Sequence, residues 1–207
     1  MMELYHWPMS HNARKARALA QHLGIDVEEK VLSMQAKEHK TDAFLQINPM
    51  GQIPAIKDGE YTVWEANAVL IYLAAQSPND LLGQSAQEWG HITQWMIWQS
   101  VELSPVVVPL HVENYFKRVR GIEADEAKRD AAMETLRALL KILDSALAGT
   151  DYLVGDRLTV ADFAVAGDFS HAEEAGFPLG DFPNVARWLS TIQGLPAWVA
   201  TTPPRIG

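Results

Sequence analysis

The 207-residue chain is 48% hydrophobic and 21% charged, carries a formal net charge of -9 and has no cysteine. This balance describes one or two globular domains able to bury a core, and the acidic excess argues against a general nucleic-acid binder, which needs clustered basic surface to meet phosphates. Without cysteine there are no disulfides, no thiolate metal ligands and no sulfur nucleophile belonging to the protein.

The N-terminus, Met-Met-Glu-Leu-Tyr-His-Trp-Pro, lacks a basic segment followed by an apolar run, and no stretch reaches the ~18 apolar residues of a membrane span. A cytoplasmic protein without membrane contact is expected. Leu4 and His6 alternate with Glu3, Tyr5 and Trp7, which predicts a short strand ended by Pro8. Ser10-His11-Asn12 opens a helix carrying Arg14, Lys15, Arg17, Leu19 and Leu23, with Gly24 at its C-terminal cap. A second strand is expected over 27–32. Strand, helix and strand within about thirty residues imply a parallel pair joined by a right-handed crossover.

The polar segment 33–47 reads as a loop entering a short irregular helix. A hairpin follows, its strands at 53–57 and 61–64 joined across Asp58-Gly59. Next comes a helix with Ala66, Val69, Leu70 and Leu73 on one buried face. Ser77-Pro78-Asn79-Asp80 begins a linker, after which the strand signals end. A long helix from about residue 87 carries Trp95, Trp98 and Glu102 on one face, where core or dimer contact is the expected role, and is expected to break near Pro105 and Pro109. Another helix places Met133, Leu136, Leu140, Leu143 and Leu147 on one side and ends at Gly149, and Pro183 and Pro196 sit where further helices start. Strands alternating with helices, then helices alone, predict two domains of different class: residues 1–76, a linker over 77–85, and an all-helical part over 86–207.

The stretch Asn48-Pro49-Met50-Gly51-Gln52-Ile53-Pro54, with Glu65 opening a helix soon after, suits a loop that offers main-chain donors and acceptors to a small, peptide-like anion. Thr159-x-x-Asp162 before an apolar helix reads as a capping box with aspartate in the place of glutamate, a structural rather than catalytic pair. The seven histidines show no metal-ligand spacing, so no metal is expected.

Together, Pro8-Met9-Ser10, Glu38-His39-Lys40, Asn48-Pro-x-Gly-Gln-Ile-Pro54, Trp64-Glu65 and Gly155-x-x-x-Thr-x-Ala-Asp162 resemble the cytosolic glutathione S-transferases. The likeness is nearest to the serine-type branch that includes the phi and theta classes and many bacterial members, and it covers nearly the whole chain. It implies an α/β plus all-α fold: a thioredoxin-like N-terminal domain (β-α-β-α-β-β-α) and an all-helical C-terminal domain. It also implies a homodimer that takes glutathione as co-substrate and conjugates it to a hydrophobic electrophile in detoxification.

The resemblance assigns roles position by position. Pro54 would be a cis-proline that turns the N–H and C=O of Ile53 toward the cysteinyl backbone of glutathione. Glu65 and the N–H of Ala66 would hold the γ-glutamyl end; the family commonly has serine at 66, so a hydroxyl contact is missing here. His39, Lys40 and Gln52 would hold the glycine carboxylate. Ser10, also an excellent helix cap, would donate to the glutathione sulfur, with Asn12 nearby and Tyr5 a lesser rival. Met9, Val107, Leu110, His111 and Tyr115 would line the electrophile pocket. Two other functions remain open in the sequence: glutathione-dependent peroxide or disulfide reduction without a protein cysteine, and a non-catalytic binding module built on the same fold.

Overall fold

A computed structural model describes residues 1–204. In β1 (Met2–His6), Met2, Leu4 and His6 are buried and Glu3 and Tyr5 half-buried, the alternation a strand imposes on its side chains. After α1 (His11–His22), β2 (Val27–Val31) returns parallel to β1, with Met2 opposite Val27 and His6 opposite Val31. A tight turn at Glu38–Lys40 and the short α2 (Asp42–Leu45) lead to β3 (Ala55–Asp58) and β4 (Tyr61–Trp64). The sheet order is β2-β1-β3-β4, and β3 lies antiparallel to both its neighbours. The hairpin turn falls one residue later than expected: Asp58 still pairs with Tyr61, and the two linking residues are Gly59, at φ +60, and Glu60. Only glycine takes that φ without steric cost. With α3 (Ala66–Ala74) packed on α1, the thioredoxin-like β-α-β-α-β-β-α unit is complete.

No strand follows α3 among the described residues. α4 (Ala86–Trp98) opens a helical column that does not break at its prolines. It widens instead into i→i+5 turns at Gln99–Leu103 and His111–Phe116, on either side of α5 (Ser104–Leu110), before α6 (Lys117–Val119). Pro105 and Pro109 have no N–H to give to the helix, and the wider turns flanking them carry the column past that gap. α7 (Glu126–Ala146), α8 (Val160–Gly167), α9 (Pro183–Gln193) and α10 (Pro196–Ala200) follow, the last two starting on the expected prolines. The end of the helical region expected to run to residue 207 lies outside the described residues.

All eight residues of α8 are buried, and the helix packs against α1, α3, α4 and α9. A helix buried on every side belongs in a core, and this one, whose single charged residue is Asp162, joins the sheet half to the helical half. The core runs continuously from Leu4 and Ile56 through Leu70 and Leu73 to Phe163, Val165 and Leu140. Among the described residues no helix is long and apolar enough to cross a membrane.

Candidate active site

The loop before β3 is held by its own asparagine. Asn48 Nδ2 donates to the Gln52 carbonyl (2.7 Å), Asn48 Oδ1 accepts from Met50 N (3.0 Å), and Gly51 N donates to the Asn48 carbonyl (2.9 Å). Gly51 has φ +59, and a Cβ there would stand 2.8 Å from both the His39 carbonyl oxygen and Lys40 Nζ, so only glycine lets the loop approach the Glu38–Lys40 turn. Across that approach Lys40 Nζ donates to the Met50 carbonyl (3.2 Å). His39 Nδ1 is buried without a hydrogen-bond partner, and burial, then the Lys40 and Lys37 cations, lower the His39 pKa. The Ile53–Pro54 bond is cis, as the resemblance implies, and pairing with β1 begins only at Ala55, opposite Tyr5.

Glu65 caps α3 in an unusual way. Its φ is +70, its side chain makes no cap hydrogen bond, and it is exposed. A non-glycine residue held there costs on the order of 1–3 kcal/mol, and such residues cluster at ligand sites. The effect is to set the Glu65 carboxylate and the first free N–H groups of α3, starting at Ala66, on one rim. That rim faces Ile53, Pro54 and Asn12 across a pocket whose deeper wall includes Lys15 and Asn67.

At the start of α1, Ser10 Oγ accepts from Ala13 N (3.2 Å), while Ser10 N donates to the Trp7 carbonyl (2.9 Å). The cap uses an oxygen lone pair. A hydroxyl also carries one proton, which this bond leaves free, so the capping and donor roles of Ser10 are compatible.

The model for the N-terminal domain of glutathione S-transferases matches residues 1–75, and the model for their C-terminal domain matches residues 100–196. The chain belongs to the glutathione S-transferase family. A glutathione S-transferase of Hyoscyamus muticus is 30% identical over 202 residues, covering 95% of each chain. The solved structure of glutathione transferase F7 from Populus trichocarpa superposes with a TM-score of 0.89 at 26% identity, over 97% of each chain. Glutathione S-transferase-I bound with lactoylglutathione gives a TM-score of 0.88 at 25% identity, over 97% of this chain and 98% of its own.

Set against this family frame, several expected site residues lie elsewhere. Tyr5 is turned away from the pocket: its hydroxyl donates to Glu3 Oε2 (2.9 Å), its ring lies 5.6 Å from that of Phe44, and it lines a separate hollow with Leu32 and Ile47. Burial, then the Glu3 bond, push its pKa up to about 12, which opposes a role in proton transfer near neutrality. Of the expected electrophile wall, Met9, Val107, Leu110 and His111 are 6% exposed or less and Val107 and Leu110 belong to the core, while Tyr115, 4% exposed, borders a hollow with Phe169, His171 and Phe177. The resemblance implied a pocket wall here, but the Val107 and Leu110 face of the helix packs inward. The open hollow on the Trp7 side of the Ser10 loop is lined instead by Trp7, Ser33, Met34, Gln35 and Arg120, and the Trp7 and Phe116 rings stand 6.3 Å apart beside it.

Asp162 is fully buried and structural. One carboxylate oxygen accepts from Thr159 N (2.8 Å) and Thr159 Oγ1 (3.0 Å), the other from Leu153 N (3.0 Å) and Trp188 Nε1 (2.9 Å). Burial raises its pKa and these four bonds act against that rise.

Sequence reasoning missed the polar group beneath the pocket: Lys15, Asn67, Gln99 and Asp168. Lys15 stands four residues before Leu19, on a buried row of α1. A lysine on an apolar row is the one signal that pointed to it.

Proposed function

We propose that the protein is a glutathione transferase of the serine type, similar to the phi and theta classes, acting on hydrophobic electrophiles. In this reading Ile53 pairs its N–H and C=O with the cysteinyl backbone beside Pro54, Glu65 and the Ala66 N–H take the γ-glutamyl end, and His39, Lys40 and Gln52 take the glycine carboxylate. Ser10 donates its hydroxyl proton in a hydrogen bond to the sulfur, with Asn12 beside it. The thiol proton leaves to solvent, the thiolate forms a bond to the electrophilic carbon, and the leaving group departs with its bonding pair.

The observation that carries the reading is the state of Ser10, whose cap bond from Ala13 N leaves the hydroxyl proton for an anion. Measuring conjugation of glutathione to an aryl halide by the wild type and Ser10→Ala tests it; equal rates remove Ser10 from the mechanism. Lactoylglutathione in a family member of similar fold supports glutathione as co-substrate. For the electrophile, the Trp7, Met34 and Arg120 hollow is the site we favour.

The division at residues 1–76, 77–85 and 86–207 is supported by the end of α3 at Ala74 and the start of α4 at Ala86. A homodimer is supported by Ile97, Val101, Val108 and Val112, which leave an apolar stripe 57, 62, 39 and 39% exposed along the α4–α5 column. Sedimentation of Val101→Asp against wild type tests it. A cytoplasmic location accords with the acidic composition and the family.

A further inference from the structure

Lys15 is 1% exposed, yet its ammonium has no ion-pair partner among the described residues. Nζ donates to Asn67 Oδ1 (3.0 Å) and Gln99 Oε1 (3.2 Å). The other end of the Gln99 amide donates from Nε2 to Asp168 Oδ2 (2.8 Å), so a neutral amide stands between Lys15 and the Asp168 charge, while the Glu65 carboxylate on the rim adds a smaller attraction. Asp168 Oδ1 in turn accepts from Ser104 Oγ (3.2 Å) and lies 3.3 Å from His11 Nε2. Asn67 is locked as an acceptor toward Lys15, because its Nδ2 donates to the Met96 carbonyl (2.8 Å) and Ser100 Oγ (2.8 Å). The lysine stem lies against Gly167, where a Cβ would come within 2.9 Å of Lys15 Cδ. Lys15 is therefore gripped by α1, α3, the turn after α4, and α8 at once.

An ammonium has three protons, and two are taken by these amide oxygens. Lys15 also lines the pocket together with Glu65, Ala66 and Asn67. A buried cation without a direct anionic partner is costly, and an anion brought to it removes much of that cost. Resting on the glutathione reading above, we propose that Lys15 binds the α-carboxylate of the γ-glutamyl residue, together with the Ala66 N–H, in the place left by the hydroxyl that Ala66 lacks. The Glu65 carboxylate on the rim then takes the neighbouring amine, so that the two charges of that amino acid meet opposite charges on two sides of one helix start. Burial holds the Lys15 pKa down to about 8, so at neutral pH the ammonium is still the main form.

The test compares glutathione with its analogue lacking that carboxylate, 4-aminobutyryl-cysteinylglycine, by titration calorimetry on wild type, Lys15→Met and Lys15→Arg. Wild type is expected to prefer glutathione by roughly tenfold or more, the loss of one charge-assisted contact. Lys15→Met is expected to lose most of that preference, keeping only what the Ala66 N–H supplies, Lys15→Arg to keep it, and Ala66→Ser added to Lys15→Met to restore part of it. A role confined to holding Asn67 and Gln99 would weaken both ligands equally and leave the preference intact, and that result overturns the inference while glutathione binding stands. If wild type binds neither ligand, the glutathione reading itself fails and takes the inference with it. Should Lys15→Met not fold, the lysine Nζ resonance of the 15N-labelled wild type serves: it must move with glutathione and stay with the analogue, and the opposite result refutes the assignment.

Discussion

Replacing Ser10 with alanine removes two interactions that act on different quantities. The first is the cap, the 3.2 Å bond from Ala13 N to Ser10 Oγ, whose loss costs about 1 kcal/mol of folding stability. The second, in the proposed mechanism, is the hydroxyl donor to the glutathione thiolate, worth about 1.5–3 kcal/mol. With 1.36 kcal/mol to the pKa unit, the bound thiol then rises by about one to two units, from about 6.5 toward the free value near 8.5. The sign follows: a raised thiol pKa lowers the thiolate fraction only below that pKa. Turnover should therefore fall about three- to twenty-five-fold near neutral pH, more steeply at lower pH, and approach wild type at alkaline pH. The assay is the pH profile of kcat with an aryl halide at saturating glutathione, with thiolate absorbance of the binary complex as a direct readout. Ser10→Asp separates the two roles, because aspartate caps well but offers no proton and repels a thiolate; it should hold stability and lose activity. A Ser10→Ala profile that keeps the wild-type midpoint while falling uniformly at every pH would refute the donor role and leave Ser10 as a cap.

Asp162→Ala strands four buried donors, Leu153 N, Thr159 N, Thr159 Oγ1 and Trp188 Nε1, at about 1–3 kcal/mol each. Thermal melting should show a large drop while the folded fraction keeps its glutathione affinity. His11, His111 and His171 meet edge to face with ring centroids 5.6 and 5.4 Å apart, and burial lowers all three pKa values, that of His111 to about 3. The unfolded chain then binds protons that the folded chain refuses, so stability present at neutral pH is lost as pH falls below the unfolded histidine value. For His111 the loss is about 2 kcal/mol by about pH 5, and denaturant midpoints across that range should fall less steeply in His111→Phe. Gly51→Ala meets the His39 carbonyl and Lys40 Nζ at 2.8 Å and a φ of +59, so it should weaken both stability and glutathione binding, read by melting and calorimetry, whereas Gly59→Ala, which meets nothing within 4 Å, should affect stability alone.

What could be read from the chain alone was the part written in neighbouring residues. Ser10 as a cap, Pro183 and Pro196 as helix starts, the Thr159-x-x-Asp162 box and the β1-α1-β2 crossover each depend on residues a few places apart and on dihedral preferences that hold in any fold. The loop from Asn48 to Pro54 was legible for the same reason, since the Asn48 side chain bonds within its own segment. Even there the resolution was one residue: the hairpin turn moved to Gly59 and Glu60 because cross-strand pairing of Asp58 with Tyr61 set the register.

Only the tertiary structure decided which way faces turned and which distant side chains met. The family resemblance placed Val107 and Leu110 at the electrophile pocket, and packing against the core took both out of that wall. Alternation put Tyr5 on a face of β1 without saying that Phe44 and Glu3 would claim it. The Lys15 group joins positions 52 and 84 residues apart, through Asn67 and Gln99, and the His171 contact to the Met9 carbonyl spans 162. No local pattern encodes such meetings. They arise because burying α8 on every side brings α1, α3 and the column after α4 around one point, and polar groups buried there must find partners in one another.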